Sequence, residues 1–520
     1  MAPEPSSSAL DAARRARDLA EATDGRVVDL LVVGLGVTGA GVALDAASRG
    51  LSVVAVDAHD LAFGTSRWSS KLAHGGLRYL AHGQVGVAHE SAVERGILMT
   101  RTAPHLVHAL PMLIPLLPEI DRRQAALTWA GLRAGDLLRA GARTPREVLP
   151  KPRRLSRTET LALAPRVRTE GLRGGLLSWD GQLEDDVRLV VGISRTAASY
   201  GASILTRTRV LSLAGDGAEV RNETTGATAT IKARAVVNAT GVWAGELVPG
   251  VHLRPSRGTH LVLRGNSLPG LRIAMMAPVP GAASRFVFAL PQPSGRVYVG
   301  LTDEPADGPV PDVPEPTEDE IDFLLDVVAN AVDRRLGRDD VVGAFAGLRP
   351  LVDSDGSGSS ASSADLSRRH AVLTSPDGIV TVVGGKLTTY RRMAEDAVDR
   401  AVAGAALDAG PCTTRRLPLV GAADRIALES VPAPSRLVRR FGTEATAVLA
   451  TGRALGLSDE DLLAPVADGV PVTRAELLWG VTHEGALDVA DLLDRRTRVG
   501  LVAADRPLAE PAARWALDQV

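Results

Sequence analysis

Val27-Val28-Asp29-Leu30-Leu31-Val32-Val33-Gly34-Leu35-Gly36-Val37-Thr38-Gly39-Ala40-Gly41 is the stretch on which the fold turns. Its first seven residues are largely apolar and β-branched, the pattern of a parallel strand buried on both faces. Gly34, Gly36 and Gly39 follow in G-x-G-x-x-G spacing. Val42, Ala43, Ala46 and Ala47 then carry a helical apolar pattern that Gly50 can close. A second strand, Leu51 to Val56, delivers Asp57. Together these make a dinucleotide-binding βαβ unit. Gly34 permits the tight turn, Gly36 a close approach to a pyrophosphate, and Gly39 tight helix–strand packing. The Asp57 carboxylate is placed to accept from ribose hydroxyls. The helix N-terminus offers free N–H groups and a positive dipole end to phosphates. This pattern alone does not separate NAD from FAD.

The next segment, Gly64-Thr65-Ser66-Arg67-Trp68-Ser69-Ser70-Lys71-Leu72-Ala73-His74-Gly75-Gly76-Leu77-Arg78-Tyr79-Leu80, is dense in small donors and cations. It reads as a non-core segment lining a polar cofactor and an anionic substrate. Composition adds weight to that reading. Of 59 basic residues only four are lysines, Lys71, Lys151, Lys232 and Lys386, and the 520-residue chain has four tyrosines. Lys71 and Tyr79 both fall in this one segment.

From here the chain resembles the FAD-dependent respiratory glycerol-3-phosphate dehydrogenases, within the glutathione-reductase-like and D-amino-acid-oxidase-like flavoproteins. The stretch Ser69 to Leu80, SSKLAHGGLRYL, is close to that family's signature. Further matches come in order at Asp185 to Leu189, Val236 to Trp243, Arg257 to His260, Val299 to Asp303, Gly347 to Leu351 and Val383 to Arg391. They span about residues 27 to 405, and the tail looks like the family's helical C-terminal domain. The resemblance implies an α/β fold: a Rossmann-like FAD-binding domain of glutathione-reductase type, an α+β substrate-covering domain and a C-terminal helical domain. The expected division is an N-terminal extension (1–24), a discontinuous FAD domain (25–105, 170–245, 340–405), a basic and apolar insert (106–169), a substrate cap (246–339) and the helical domain (411–520).

FAD is then the implied cofactor, with Gly34, Gly36, Gly39, Asp57, Thr65, Ser66, Ser70, Lys71, His74, Gly75, Thr240, Gly241, Gly385, Leu387 and Thr388 as its expected contacts. Two strands, Ala371 to Leu373 and Ile379 to Val383, lead to Gly384-Gly385 and a helix that Thr388 or Thr389 can cap. In this superfamily such a helix end faces the flavin pyrimidine edge, where charge grows on reduction. The implied reaction moves a hydride from C2 of sn-glycerol 3-phosphate to flavin N5, giving dihydroxyacetone phosphate. His260 is the expected general base, with His74 as rival, since imidazole titrates near working pH. Arg349 is expected on the substrate oxygen, and Arg78, Tyr79, Lys386 and Arg368 on the phosphate. Asp185-Asp186-Val187-Arg188 reads equally as a solvated helix start.

Other classes fall away. A net charge of −2 gives no reason for nucleic-acid binding. The single Cys412 allows no disulfide framework and fits a reducing cytoplasm, and no histidine–carboxylate spacing suggests a metal. Residues 122–157 hold ten basic side chains against two acids, Asp136 and Glu147, with Leu127, Trp129, Leu132, Leu137 and Leu138 at helical spacing. That segment reads either as a solvated basic insert or as an amphipathic contact with an anionic membrane, on the inner face of the cell membrane. A quinone-type acceptor follows from the resemblance; an oxidase using O₂ and a non-catalytic nucleotide-binding scaffold are the alternatives, and a homodimer is admitted. Asp353 to Asp365 is low-complexity and Ser-rich.

Overall fold

The computed structural model describes residues 8–76, 79–80, 83–282, 285–352 and 370–520. Arg78, Arg368 and the Ser-rich stretch 353–365 lie outside them.

The strand forecast from the opening stretch is observed as Val27–Val33, and its helix as Val37–Ser48. The strand enters an eight-stranded sheet. Five parallel strands run in the order Val380–Val383, Thr228–Asn238, Val27–Val33, Val53–Val56 and Ser203–Leu205. Val33 lies level with Val56 on one side and Asn238 on the other. Consequently Gly34, Asp57, Ala239-Thr240-Gly241 and Gly384-Gly385 all leave the sheet at one edge. Ligands of open α/β sheets bind at that carboxyl edge. The helices Val37–Ser48, Asp186–Ser199 and Tyr390–Ala405 pack together on one face, burying Val42, Ala46, Val190, Met393 and Ala397.

A second, ten-stranded sheet is built mainly on Leu253–Leu263, paired antiparallel with Val341–Val352 and Val297–Gly300. The expected domain limits differ here from the pairing. Gly175–Leu183 and Val341–Val352, assigned by sequence to the FAD domain, belong to this second sheet. Val107–Pro115, assigned to the insert, pairs along its whole length with Gly175–Leu183. Alternating burial of a strand reveals which face is covered, not which neighbour it hydrogen-bonds. The helix Glu318–Ala331 covers the sheet, burying Leu324, Val327 and Val328 against Leu261, Met275 and Val299.

The C-terminal region is mostly helical, with two small apolar cores, one around Leu477, Leu492 and Ala513, the other around Leu437, Val448 and Trp479. It is fastened to the rest by buried ion pairs: Arg188 to Glu484 at 2.5 Å, Arg195 to Glu444 at 2.6 Å, and Arg496 to Asp60 at 2.6 Å. Among the described residues, no helix is long and apolar enough to cross a membrane.

Candidate functional site

The dinucleotide turn is as tight as its glycines imply. A Cβ on Gly39 would lie 1.8 Å from the Gly34 carbonyl oxygen, so helix and strand meet here at backbone distance. Gly36 stands at the helix N-cap with no side-chain cap. The Val37 N–H donates to the Ser66 hydroxyl at 2.9 Å, which places Ser66 at the helix mouth. Asp57 accepts from the backbone N–H of Leu35 at 2.7 Å and of His59 at 2.8 Å. It therefore fastens the turn as well as facing it, and a carboxylate has further lone pairs for a ribose hydroxyl. Burial raises its pKa, while the two backbone bonds pull the other way.

Across the edge, Thr240 donates through N and Oγ1 to Asn238 Oδ1, at 3.2 and 2.7 Å, leaving the Thr240-Gly241 turn small. Gly384 and Gly385 both have left-handed φ, and Lys386, Leu387 and the buried Thr388 follow into the helix Tyr390–Ala405. The capping expectation needs correction: Thr389 sits at the N-cap, but its hydroxyl donates to the Lys386 carbonyl instead. These turns, the glycine at the helix mouth and the small residues around them fit a dinucleotide such as FAD.

The segment after the fingerprint ties this edge to the second sheet. The Thr65 hydroxyl donates to the Leu348 carbonyl at 2.7 Å, next to Arg349. Ser70 Oγ lies 2.8 Å from Nε2 of His260. The His260 ring stacks on Phe345, its partner across the strand pair, at 4.8 Å. Arg349 donates to Ser256 Oγ and Asp303 Oδ1 at 3.2 and 3.1 Å and to the Thr302 carbonyl at 3.2 Å. Its guanidinium lies over Gly258, where a Cβ would come within 2.2 Å of it. Lys386 Nζ sits 4.4 Å from the centre of the Tyr79 ring. Thus one segment, 65–79, contacts the imidazole and reaches the lysine. His74 and Gly75 continue it, the Gly75 N–H donating to Asp180, itself paired with Arg95 at 2.7 Å.

Charge in this region is more deeply buried than the residue types suggest. Lys71 is 1% exposed, and its ammonium donates to Asp186 at 2.6 Å and to the Arg67 carbonyl at 3.3 Å. Arg67 is buried too, and burial with its neighbours Arg498 and Arg495 brings it down to about 9. The segment is therefore partly core, contrary to its polar composition. Nor is Asp185-Asp186 a solvated helix start: both carboxylates are buried, Asp185 capping the helix Asp186–Ser199. Burial raises the Asp186 pKa, but Lys71, Arg498 and Ser69 together hold it below the usual carboxylate range. His260 is pushed down to about 3, first by burial and then by the charges of Arg349 and Lys71.

Sequence reading missed Glu320. It accepts from Arg257 Nε at 2.9 Å, Thr259 Oγ1 at 3.0 Å and Thr302 Oγ1 at 2.9 Å, pinning the strand that carries His260. Its signal was the capping box Thr317-Glu318-Asp319-Glu320, which the helix does form. Asp303, the partner of Arg349, stood in a quoted motif without a role. His105 and His108 are held neutral by burial, down to about 3 and about 4. No cluster of metal-ligating residues occurs among the described residues.

Comparison with known proteins adds independent findings. Residues 29–391 match the FAD dependent oxidoreductase family, DAO, and residues 412–514 match the C-terminal domain of alpha-glycerophosphate oxidase. The chain is 54% identical over 505 residues to glycerol-3-phosphate dehydrogenase 1 of Mycobacterium tuberculosis (strain ATCC 25618 / H37Rv), covering 96% of this chain and 97% of the relative. Among solved structures, the glycerol-3-phosphate dehydrogenase of Bacillus halodurans complexed with FAD aligns with TM-score 0.75 and 28% identity, over 98% of this chain and 94% of that one. The L-alpha-glycerophosphate oxidase of Mycoplasma pneumoniae shares the fold, with TM-score 0.55 and 20% identity over 76% of this chain and 99% of that one.

Proposed function

This chain belongs to the FAD-dependent glycerol-3-phosphate dehydrogenases, and we propose that it oxidises sn-glycerol 3-phosphate to dihydroxyacetone phosphate and passes the electrons to a quinone-type acceptor. FAD is its cofactor. Bound at the carboxyl edge of the first sheet, it supplies the acceptor for the hydride that leaves C2. One observation carries the substrate reading. A buried imidazole and a guanidinium from paired strands stand beside the segment that follows the dinucleotide fingerprint, and that same segment brings Tyr79 against Lys386.

In this reading His260 takes the proton of the C2 hydroxyl on Nε2, the nitrogen now turned to Ser70. Its low pKa keeps the ring neutral, the form able to accept. A dianionic phosphate drawn in by Lys386 adds negative charge nearby and makes the ring more basic. Arg349, held in place by Asp303 and Ser256, supports alkoxide character on the substrate oxygen as the hydride departs. Lys386 and Tyr79 hold the phosphate, Lys386 as a compact point charge.

Two experiments test the reading. Anaerobic addition of glycerol 3-phosphate to the purified flavoprotein bleaches the visible flavin band; an unbleached band with intact FAD overturns the substrate assignment. Turnover with a quinone analogue and without peroxide supports the acceptor, and stoichiometric peroxide in air replaces it with O₂. The acceptor reading accords with a peripheral seat on an anionic membrane, for which the helix Arg122–Gly141 offers exposed Leu127 and Leu137 flanked by arginines.

A further inference from the structure

We infer that the C-terminal domain is part of the machinery that holds FAD, acting through three arginines of one short segment, Arg495, Arg496 and Arg498. Two loops bracket the mouth of the fingerprint helix, and each is fastened from behind by this segment.

The first loop follows Asp57. Its Asp60 is fully buried and receives Arg495 Nε at 2.6 Å and Arg496 Nη1 and Nη2 at 2.6 and 2.8 Å. On its other side the loop grips Leu35 at both backbone atoms. Asp57 accepts from Leu35 N–H, and Ala62 N–H donates to the Leu35 carbonyl at 3.0 Å. Leu35 lies between Gly34 and Gly36, so the anchored carboxylate is one loop away from the dinucleotide turn.

The second loop carries Ser66, whose hydroxyl accepts from the first N–H of the fingerprint helix. The carbonyl of the next residue, Arg67, accepts from Arg498 Nη2 at 2.5 Å. The Arg498 guanidinium also lies 5.2 Å from the Trp68 ring centre, with Nε 3.6 Å from Asp185. Arg498 holds a left-handed backbone, φ +64°, which an L side chain adopts only where its surroundings fix it.

The same boundary holds an ion pair that touches neither loop. Arg195 and Glu444 meet at 2.6 Å between the helix Asp186–Ser199 and the C-terminal domain. They hold the domain in place and provide a control for stability alone. Arg495, Arg496 and Arg498 are positioning residues: they set the two loops, and the loops set the helix mouth.

The test needs no substrate, so it stands apart from the substrate assignment. Arg498→Gln, Arg496→Gln and Glu444→Gln are purified as holoenzymes. Their FAD dissociation constants are measured from the fluorescence of released FAD, with thermal midpoints of apo and holo forms alongside. Arg498→Gln and Arg496→Gln raise the dissociation constant at least fivefold above that of Glu444→Gln, which lowers the thermal midpoint while binding FAD as the parent does. Arg496→Gln leaves the buried Asp60 with one partner; where that variant does not fold, the decision rests on Arg498→Gln and the milder Arg498→Lys, which keeps the charge but not the fork. An Arg498→Gln dissociation constant less than fivefold above that of Glu444→Gln overturns the inference.

Discussion

His260 is a histidine whose setting denies it a charge. Burial, then Arg349 and Lys71, bring its pKa from the usual 6.5 down to about 3. In the unfolded chain the ring protonates near 6.5, so its stabilising contribution is complete above that pH and is lost as pH falls toward 3. The thermal midpoint advantage of the parent over His260→Gln should therefore shrink between pH 6.5 and 4; a constant gap would mean that the ring is charged in the fold. Ser70→Ala removes the 2.8 Å contact at Nε2. The C2 hydroxyl must displace this contact to reach Nε2, and a neutral hydrogen bond is worth about 1 kcal/mol, so KM should fall by up to about fivefold with FAD still bound. Lys386→Ala acts on binding in the opposite direction. It should raise KM about tenfold or more, as expected for one charge-assisted contact to phosphate, without releasing flavin. Loss of flavin would move Lys386 from substrate to cofactor.

At the scale of single elements, two glycines separate folding from positioning. A Cβ on Gly39 would stand 1.8 Å from a backbone oxygen that cannot withdraw, so Gly39→Ala should yield protein without FAD or none that folds. On Gly258 the obstacle is the end of the Arg349 side chain, which can move. Gly258→Ala should therefore keep fold and flavin while lowering kcat about tenfold, measured as the rate of flavin reduction; an unchanged rate would detach Arg349 from the chemistry. The strand Val27–Val33, the helix after it and the three turns at the sheet edge were readable because each is written in local spacing. Lys71, Asp186 and Glu320 were harder. A cation in a polar run looks like an anion-facing group, and nothing local says that its counter-charge arrives from a helix N-terminus over a hundred residues away. Pairing is non-local in the same way, which is why Val107–Pro115 reads as insert yet joins the second sheet.

For the molecule as a whole, buried charge at the domain boundary couples the C-terminal region to the flavin end. The two arginines bring Asp60 down to about 2 despite full burial. That contribution is present above the ordinary carboxylate pKa and is lost as pH falls from near 4 toward 2. A second feature at this scale lies on one exposed helix. In the twenty-residue helix Arg122–Gly141 only Leu132 and Arg139 are buried, and Arg139 is occupied by Asp136 at 2.7 Å. Leu127 and Leu137 are 65% and 73% exposed, and with Ala130 they share one face at helical spacing. Arg123 continues that face and Arg133 stands beside it, and Arg154 lies over Trp129 at 4.9 Å. An apolar strip edged with cations suits a shallow seat among anionic headgroups, each cation adding about 1 kcal/mol near such a surface. Replacing Arg123, Arg133, Arg143 and Arg154 by Gln, and leaving the structurally engaged Arg139, should abolish cosedimentation with anionic liposomes at moderate salt. Leu127→Ser with Leu137→Ser should weaken it with less effect on its salt dependence. Cosedimentation that survives both sets of changes would assign the helix to solvent and leave the acceptor to be met elsewhere on the surface.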